Sequence, residues 1–216
     1  MNGPGMGPGK PACRRDLVGG SITGMDVFLE TERLILRRFT GEDADLLFDL
    51  YDDPAVMRYL NGGAPADRDE ITTLDLPAFL GYYPRFPGYG FWAALDRERA
   101  GFLGWFHLRP RPEDPVDEPE LGYRLHRAAW GHGYATEGSR ALLAKAFTDL
   151  GAGRVTAATL TANLGSRRVL EKIGLRYLHT TPADGHDTAE GAEHGVRQYA
   201  ITRAEWTVLH HRSPLS

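Results

Sequence analysis

Gly131 and Gly133 stand two apart in the run ELGYRLHRAAWGHGYATEG, residues 120–138, where an apolar-alternating segment gives way to a helical pattern. The first N–H groups of a helix have no partner within it and carry the positive end of its dipole, so a glycine-containing loop that opens a helix can hold an anion. Glycine at both positions lets the backbone approach a ligand closely and adopt conformations closed to other residues. Phosphate binding by loop amides is the chemistry this spacing points to. A dinucleotide fingerprint would add a third glycine at position 136, which is Thr136 here, and an acidic residue about 20 positions on. A P-loop would need Gly-Lys-Ser/Thr, and the chain has none.

The elements that would position this loop follow from pattern and punctuation. Residues 31–39 and 118–126 form strands, and residues 91–95 and 100–108 form a hairpin about Asp96-Arg97-Glu98-Arg99. Thr40 with Asp43 resembles a capping box ahead of Leu46, Leu47, Leu50 and Tyr51 at helical spacing. Asp53-Pro54 starts a second helix, which Asn61-Gly62-Gly63 ends, and residues 71–83 are another, broken by Pro77 or starting near it. Behind the glycine loop come a helix over 135–150, a strand over 155–161, a helix over 166–173 closed by Gly174, a strand over 175–179, a polar loop over 180–195 and a last strand over 196–202. This order gives one mixed α/β domain, antiparallel in its front half and with a parallel pair near its middle. Residues 1–24, rich in Gly and Pro, are a disordered tail, residues 25–210 the domain, and residues 211–216 a C-terminal tail.

Bulk properties narrow the function. With 216 residues the chain suits one domain, and a net charge of −4 supplies no global basic field for nucleic acid. Its single cysteine, Cys13, rules out an internal disulfide and a cysteine-based zinc site. His179, His186 and His194 scatter over a loop without metal-ligand spacing, so no metal site is expected. Without a long apolar run or a secretory h-region, neither a membrane span nor export is expected, and the location is cytoplasmic.

The segments RLILRRFTGEDADLLFDLYDDPAVMRYL, FWAALDRERAGFLGWFHL, ELGYRLHRAAWGHGYATEGSRALL and NLGSRRVLEKIGL follow one another in the order and spacing of the GCN5-related N-acetyltransferases (GNAT). Over residues 26–206 the chain resembles that superfamily, and most of all its ribosomal-protein alanine N-acetyltransferase branch. The resemblance implies a central mixed sheet of about seven strands, flanked by helices and splayed between the fourth (120–126) and fifth (155–161). It implies acetyl-CoA as cosubstrate, with Tyr123, Arg124 and Leu125 along its pantetheine arm. The amides of Trp130, Gly131, His132, Gly133, Tyr134, Ala135 and Thr136 would lie on its pyrophosphate. The broader family prefers Gln or Arg where this chain has Ala128, a small departure for a cradle made of backbone N–H groups.

Amine acetylation needs a base for the amine proton, a donor to the oxyanion and a proton for the leaving thiolate. Glu120, on the strand that would carry the acetyl group, is the candidate base, acting through water; an ordinary strand carboxylate is the competing reading. Many family members carry Tyr seven residues after the asparagine of N-x-x-S, but here that residue is Leu170. The resemblance suggests Ser166 as the substitute acid, against simple helix capping, and Asn163 as a contact to the cofactor arm or a cap of the same turn. His107 is a second candidate base, Trp105 a pocket wall, and Arg167 or Arg168 a contact to the 3′-phosphate. The acceptor pocket falls to residues 54–90 and 180–195, where Asp184, Asp187, Glu190 and Glu193 would suit a cation. The expected activity is direct transfer, in a ternary complex, from acetyl-CoA to a primary amine, either a protein N-terminus or a small molecule. A catalytically idle acyl-CoA-binding module is the alternative, prompted by Leu170. Dimers are common among relatives, so a homodimer is one expected assembly.

Overall fold

The computed structural model describes residues 25–111, 115–184 and 188–211. Cys13, Arg14-Arg15, His186, Asp187, the expected tail 1–24 and all of the expected tail 211–216 except His211, which ends a helix, lie outside the described residues. One sheet orders its strands β1-β2-β3-β4-β5-β6-β8-β7. These are β1 (Val27–Glu30), β2 (Leu34–Arg38), β3 (Gly90–Asp96), β4 (Phe102–Arg109), β5 (Glu120–Leu125), β6 (Arg154–Leu160), β7 (Arg176–Thr181) and β8 (Val196–Thr202). All neighbours are antiparallel except β5 and β6, which are parallel and joined only through the register pair Glu120 and Thr156.

The sheet therefore has eight strands where about seven were expected. The additional one is β1, which precedes the strand expected over 31–39; the chain turns at residues 31–33, and the expected strand begins only at Leu34. Thr31 Oγ1 accepts from Leu34 N at 2.9 Å, a local side-chain turn that competes with straight extension. Phe28 of the resulting β1 stacks on Trp92 of β3, ring centroids 4.0 Å apart.

Two apolar layers cover the sheet. On one face, α5 (Tyr134–Thr148), α6 (Leu164–Lys172) and α7 (Arg203–His211) enclose a core that includes Phe106, Leu121, Leu125, Leu142, Leu143, Phe147, Leu170 and Tyr199. The opposite face packs Phe91, Ala93 and Trp105 against α1 (Ala44–Tyr51), α2 (Pro54–Asn61) and α4 (Leu76–Arg85) through Leu47, Leu50, Met57 and Phe79. Each fully buried large apolar side chain here contributes on the order of 1.5–3 kcal/mol. Gly138 lets α5 settle onto β4, since a Cβ there would meet the Phe106 ring at 2.5 Å.

Start signals in the sequence work as read at α2, where Asp53 Oδ1 accepts from Ala55 N ahead of Pro54, and Gly62 ends the helix at φ 75°. The helix expected over 71–83 is preceded by a short turn, α3 (Arg68–Glu70), and a wide π turn over Ile71–Asp75 that runs into α4. Pro77 explains the widening: it has no N–H for an ordinary helical bond, and the wide turn instead pairs Leu76 N with Ile71 O.

Candidate active site

The splay between β5 and β6 creates the site. In the β4–β5 ladder His126 N bonds Leu103 O, and Trp105 is opposite Arg124, so Gly122 and Arg124 turn their backbone groups toward β4. Leu121, Tyr123 and Leu125 turn theirs the other way, toward β6, and beyond Glu120 that edge has no ladder partner among the described residues. The expected contribution of Arg124 to the cofactor arm is therefore not supported by its backbone direction. Its guanidinium lies on the opposite face, 4.2 Å from the Tyr51 ring centroid and 5.0 Å from that of Trp105. Leu125 offers less than expected too, because its carbonyl accepts from Trp130 Nε1 at 2.8 Å. Tyr123 retains a backbone directed at the gap.

At the end of β5 a short turn, Arg127–Ala129, leads into the exposed loop Trp130–Gly133 and then α5. Gly131 (φ 77°) and Gly133 (φ 86°) are both left-handed, and open space surrounds the position a Gly131 Cβ would take. No side chain caps the helix, so its first N–H groups, from Tyr134, Ala135 and Thr136, are left for a ligand. The loop inferred from glycine spacing does open a helix whose first turn no side chain caps. The Tyr134 side chain points elsewhere, its hydroxyl donating to Asp96 Oδ2 at 3.1 Å.

Arg33 is the residue that sequence reasoning missed. From the β1–β2 turn its Nη1 donates to His132 O at 2.9 Å and its Nε to Glu137 Oε2 at 2.7 Å. Thr31 Oγ1 and Arg33 N also donate to Glu137 Oε1, at 2.6 and 2.9 Å. Desolvation raises the Glu137 carboxyl, but these donors outweigh it and hold the group below its ordinary value. The signal was present in the sequence: an acidic residue in the first turn of an anion-binding helix repels the ligand unless a cation neutralises it.

On the face toward α1 and α4, the side chains of Trp105, His107 and Arg109 from β4 stand beside Glu120 and Arg124 from β5. Arg109 Nη2 donates to Glu120 Oε2 at 3.1 Å, Arg111 Nη1 lies 4.0 Å from Oε1, and His107 Nε2 is 3.9 Å from Oε2. Burial, then Arg109 and Arg124, pushes His107 well below its ordinary value, so the imidazole is neutral. Among the described residues neither of its buried ring nitrogens has a hydrogen-bond partner. Gly122 makes this arrangement possible, because a Cβ there would lie 2.6 Å from the imidazole.

On the other face, Asn163 caps α6 by accepting from Ser166 N at 3.0 Å, which leaves the Ser166 hydroxyl outside the cap. Tyr123 O–H donates to Ser166 Oγ across a loose 3.4 Å. Leu170, only 2% exposed, faces the core. Arg167 is spent on Thr161 O at 3.0 Å, while Arg168 is exposed. The two segments expected to form the acceptor pocket meet, with Glu190 N donating to Arg58 O at 2.8 Å and Tyr59 packing beside Ala183 and Ala189. A cleft of about 710 Å³ lined by residues 180–184 and 192–195 lies at this end. Among the described residues no group of His, Cys, Asp and Glu could hold a metal ion, and no helix is long and apolar enough to cross a membrane.

Comparison with known proteins agrees with this geometry. Residues 33–176 match the family profile described as an acetyltransferase (GNAT) domain. The FsC-acetyl coenzyme A-N(2)-transacetylase of Aspergillus fumigatus is 34% identical over 184 residues, 82% of this chain and 77% of that protein. Two solved structures share the fold at low identity. RimL, a ribosomal L7/L12 alpha-N-protein acetyltransferase in complex with coenzyme A, superposes with a TM-score of 0.68 at 16% identity, covering 82% of this chain and 97% of its own. Spermidine N-acetyltransferase from Vibrio cholerae, in complex with coenzyme A and spermine, gives 0.65 at 15%, covering 82% and 99%. This chain belongs to the GNAT family and is an acetyltransferase.

Proposed function

We propose that the protein transfers an acetyl group from acetyl-CoA directly to a primary amine in a ternary complex. The observation that carries this reading is the single-pair junction of β5 and β6, whose open edge leads straight to the uncapped α5 N-terminus. An extended arm pairs with Tyr123 on that edge, and the amides from Gly131 to Thr136 hold a pyrophosphate, as helix N-termini do, whereas the Trp130 amide already donates to Arg127 O at 3.1 Å. Bound there, acetyl-CoA supplies an activated thioester carbonyl.

Glu120 accepts the amine proton, through water. Its carboxylate is anchored by Arg109 at 3.1 Å and stands on the face opposite Tyr123 and Ser166. Strand alternation thus separates the base from the two hydroxyls, and the reacting carbon belongs in the gap between them. The acceptor enters from the side of α2 and the β7–β8 loop.

The 34% identical relative, named for transfer to an N(2) position of FsC, favours a small-molecule amine as acceptor. The likeness to RimL and to the spermidine enzyme concerns the fold alone, so the ribosomal-protein branch has less support than the broader acetyltransferase reading. The test is product analysis by mass spectrometry after incubation with acetyl-CoA and a panel of small amines, polyamines and peptides with free N-termini. An acetylated small amine supports the reading, and acetylation of peptide N-termini alone would move it to protein substrates. No acetylated product with any acceptor would refute it.

A further inference from the structure

Arg124 is a largely buried cation to which the fold gives aromatic neighbours and no acceptor. It projects from β5 on the face that carries Glu120, with Trp105 opposite it on β4 and Tyr51 of α1 above. The guanidinium lies over both rings, 4.2 Å from the centroid of Tyr51 and 5.0 Å from that of Trp105. Such contacts engage the faces of the guanidinium, whereas its N–H donors point outward in its plane. Among the described residues no carbonyl or carboxylate accepts from them. Asp75, the last residue of the π turn, is the carboxylate whose field reaches Arg124, yet the two form no ion pair. Burial, then Glu70, raises the Asp75 carboxyl, and Arg124 offsets only part of that. A charge desolvated in this way costs the fold stability unless an anion from outside completes it.

We propose that Arg124 binds a carboxylate carried by the acceptor, so that the protein acetylates small primary amines bearing an acid group. The proposal deepens the acetyltransferase reading and rests on it. Glu120, anchored by Arg109, takes the proton of the amine, and Arg124, further along the same face, receives the acid group in its planar fork. The charges on this face favour a monoanion. Arg109, Arg111 and Arg124 stand against Glu120 and Asp75, and His107 between them is neutral. A phosphate dianion would meet two carboxylates here, and a polyamine would bring a second cation against the arginines. Asp184, Glu190 and Glu193, which suit a cation, are exposed on the outer loop, where solvent screens them. Burial lowers the Arg124 guanidinium, with Tyr51 and then Asp75 offsetting part, and an arginine so lowered is still a cation at neutral pH.

The test is acceptor selectivity in wild type, Arg124→Gln and Arg124→Lys, with Tm and coenzyme A affinity recorded for each. Glycine, β-alanine and γ-aminobutyrate are each compared with the primary amide of the acid and with the alkylamine that lacks it, at equal concentrations of neutral amine. Spermidine serves as the polycation, and peptides with free N-termini form a separate arm. The wild type should favour its best amino acid over the carboxylate-free partners by about ten- to a hundredfold in kcat/KM, chiefly through KM. Arg124→Gln should shrink that preference to within about threefold by raising KM for the amino acid. Arg124→Lys should keep part of it, because the charge remains and the fork is lost. Coenzyme A affinity should be alike in all three proteins. If Arg124→Gln does not fold, the wild-type preference and its reduction in Arg124→Lys decide the matter. A wild type that acetylates the amides, alkylamines or spermidine as well as the amino acids would overturn the proposal and leave the acetyltransferase reading intact. So would a preference that survives in Arg124→Gln. Transfer to none of the small amines would also remove the proposal, and the peptide arm then shows whether the acetyltransferase reading falls with it.

Discussion

Arg33 meets Glu137 with its Nε 2.7 Å from the carboxylate and, by the same guanidinium, holds His132 O at 2.9 Å. One side chain from the first hairpin thus neutralises the only acidic residue in the first turn of α5 and ties down the loop in front of it. Truncating it exposes an uncompensated carboxylate to the anion the loop is built to hold. Arg33→Ala should weaken coenzyme A binding about tenfold, a loss of about 1.4 kcal/mol, when measured by calorimetry. The double variant with Glu137→Gln should recover part of that loss, and an affinity unchanged in Arg33→Ala would show that the pair serves the fold alone.

The same pair leaves a mark on acid stability. Glu137 is held below its ordinary value, so near pH 4 the unfolded chain binds more protons at this site than the folded one. Its contribution is complete above the ordinary carboxylate range and is lost as the pH falls through the lowered folded value. Thermal melts of Glu137→Gln should fall less steeply than wild type below that range, and parallel curves would deny the coupling.

His107 gives a second, separate pH window. Its imidazole is held neutral well below the ordinary value by burial and by Arg109 and Arg124, and folding therefore excludes a proton that the unfolded chain accepts. Stability from this site is complete above about pH 6.5 and falls by roughly 1.4 kcal/mol per pH unit below it, until the lowered folded value is reached. His107→Gln should flatten the unfolding free energy between pH 5 and 6.5 in denaturant titrations, and a retained slope would place its cause elsewhere.

Gly138 tests how closely α5 must approach the sheet. A methyl group at this position would meet Phe106 at 2.5 Å, inside the apolar layer that carries both the loop and β5. Gly138→Ala should cost about 1–3 kcal/mol, lowering Tm by roughly 2–12 °C for a chain of this size. Pairing it with Phe106→Leu should relieve most of the loss.

Much of the fold was legible because its signals are local. Asp53-Pro54 and Gly62 bracket α2 as read, and β8 falls on residues 196–202 as expected. The glycine loop that opens α5 was legible for the same reason, since glycine spacing and the onset of helical periodicity sit within a few residues. Misses arose where a short-range device was overlooked or a partner is remote. The turn at Thr31 delays the expected strand to Leu34 and sets off β1 before it, which the sequence reading did not expect. Helix α7 begins at a true capping box, Glu205 accepting from Thr202 N at 2.9 Å and Thr202 Oγ1 accepting from Glu205 N at 3.3 Å, which the sequence displays as Thr-x-x-Glu. Arg33 and Glu137 are 104 residues apart, and no local pattern joins them. The contact between Tyr123 and Ser166 likewise depends on how β5 and α6 meet, and alternation along β5 fixes only the face from which Tyr123 projects.

The central claim is that an amine is deprotonated from one face of β5 while the acyl donor lies along its open edge. Amine-dependent thiol release from acetyl-CoA, followed across pH for wild type and Glu120→Gln, tests it most directly. The account predicts release by the wild type only when an acceptor amine is present. In Glu120→Gln the rate should fall about a hundredfold with an altered pH profile, and calorimetric affinity for coenzyme A should be unchanged. Thiol release that ignores the amine, or a Glu120→Gln enzyme with the rate and pH profile of the wild type, would contradict it.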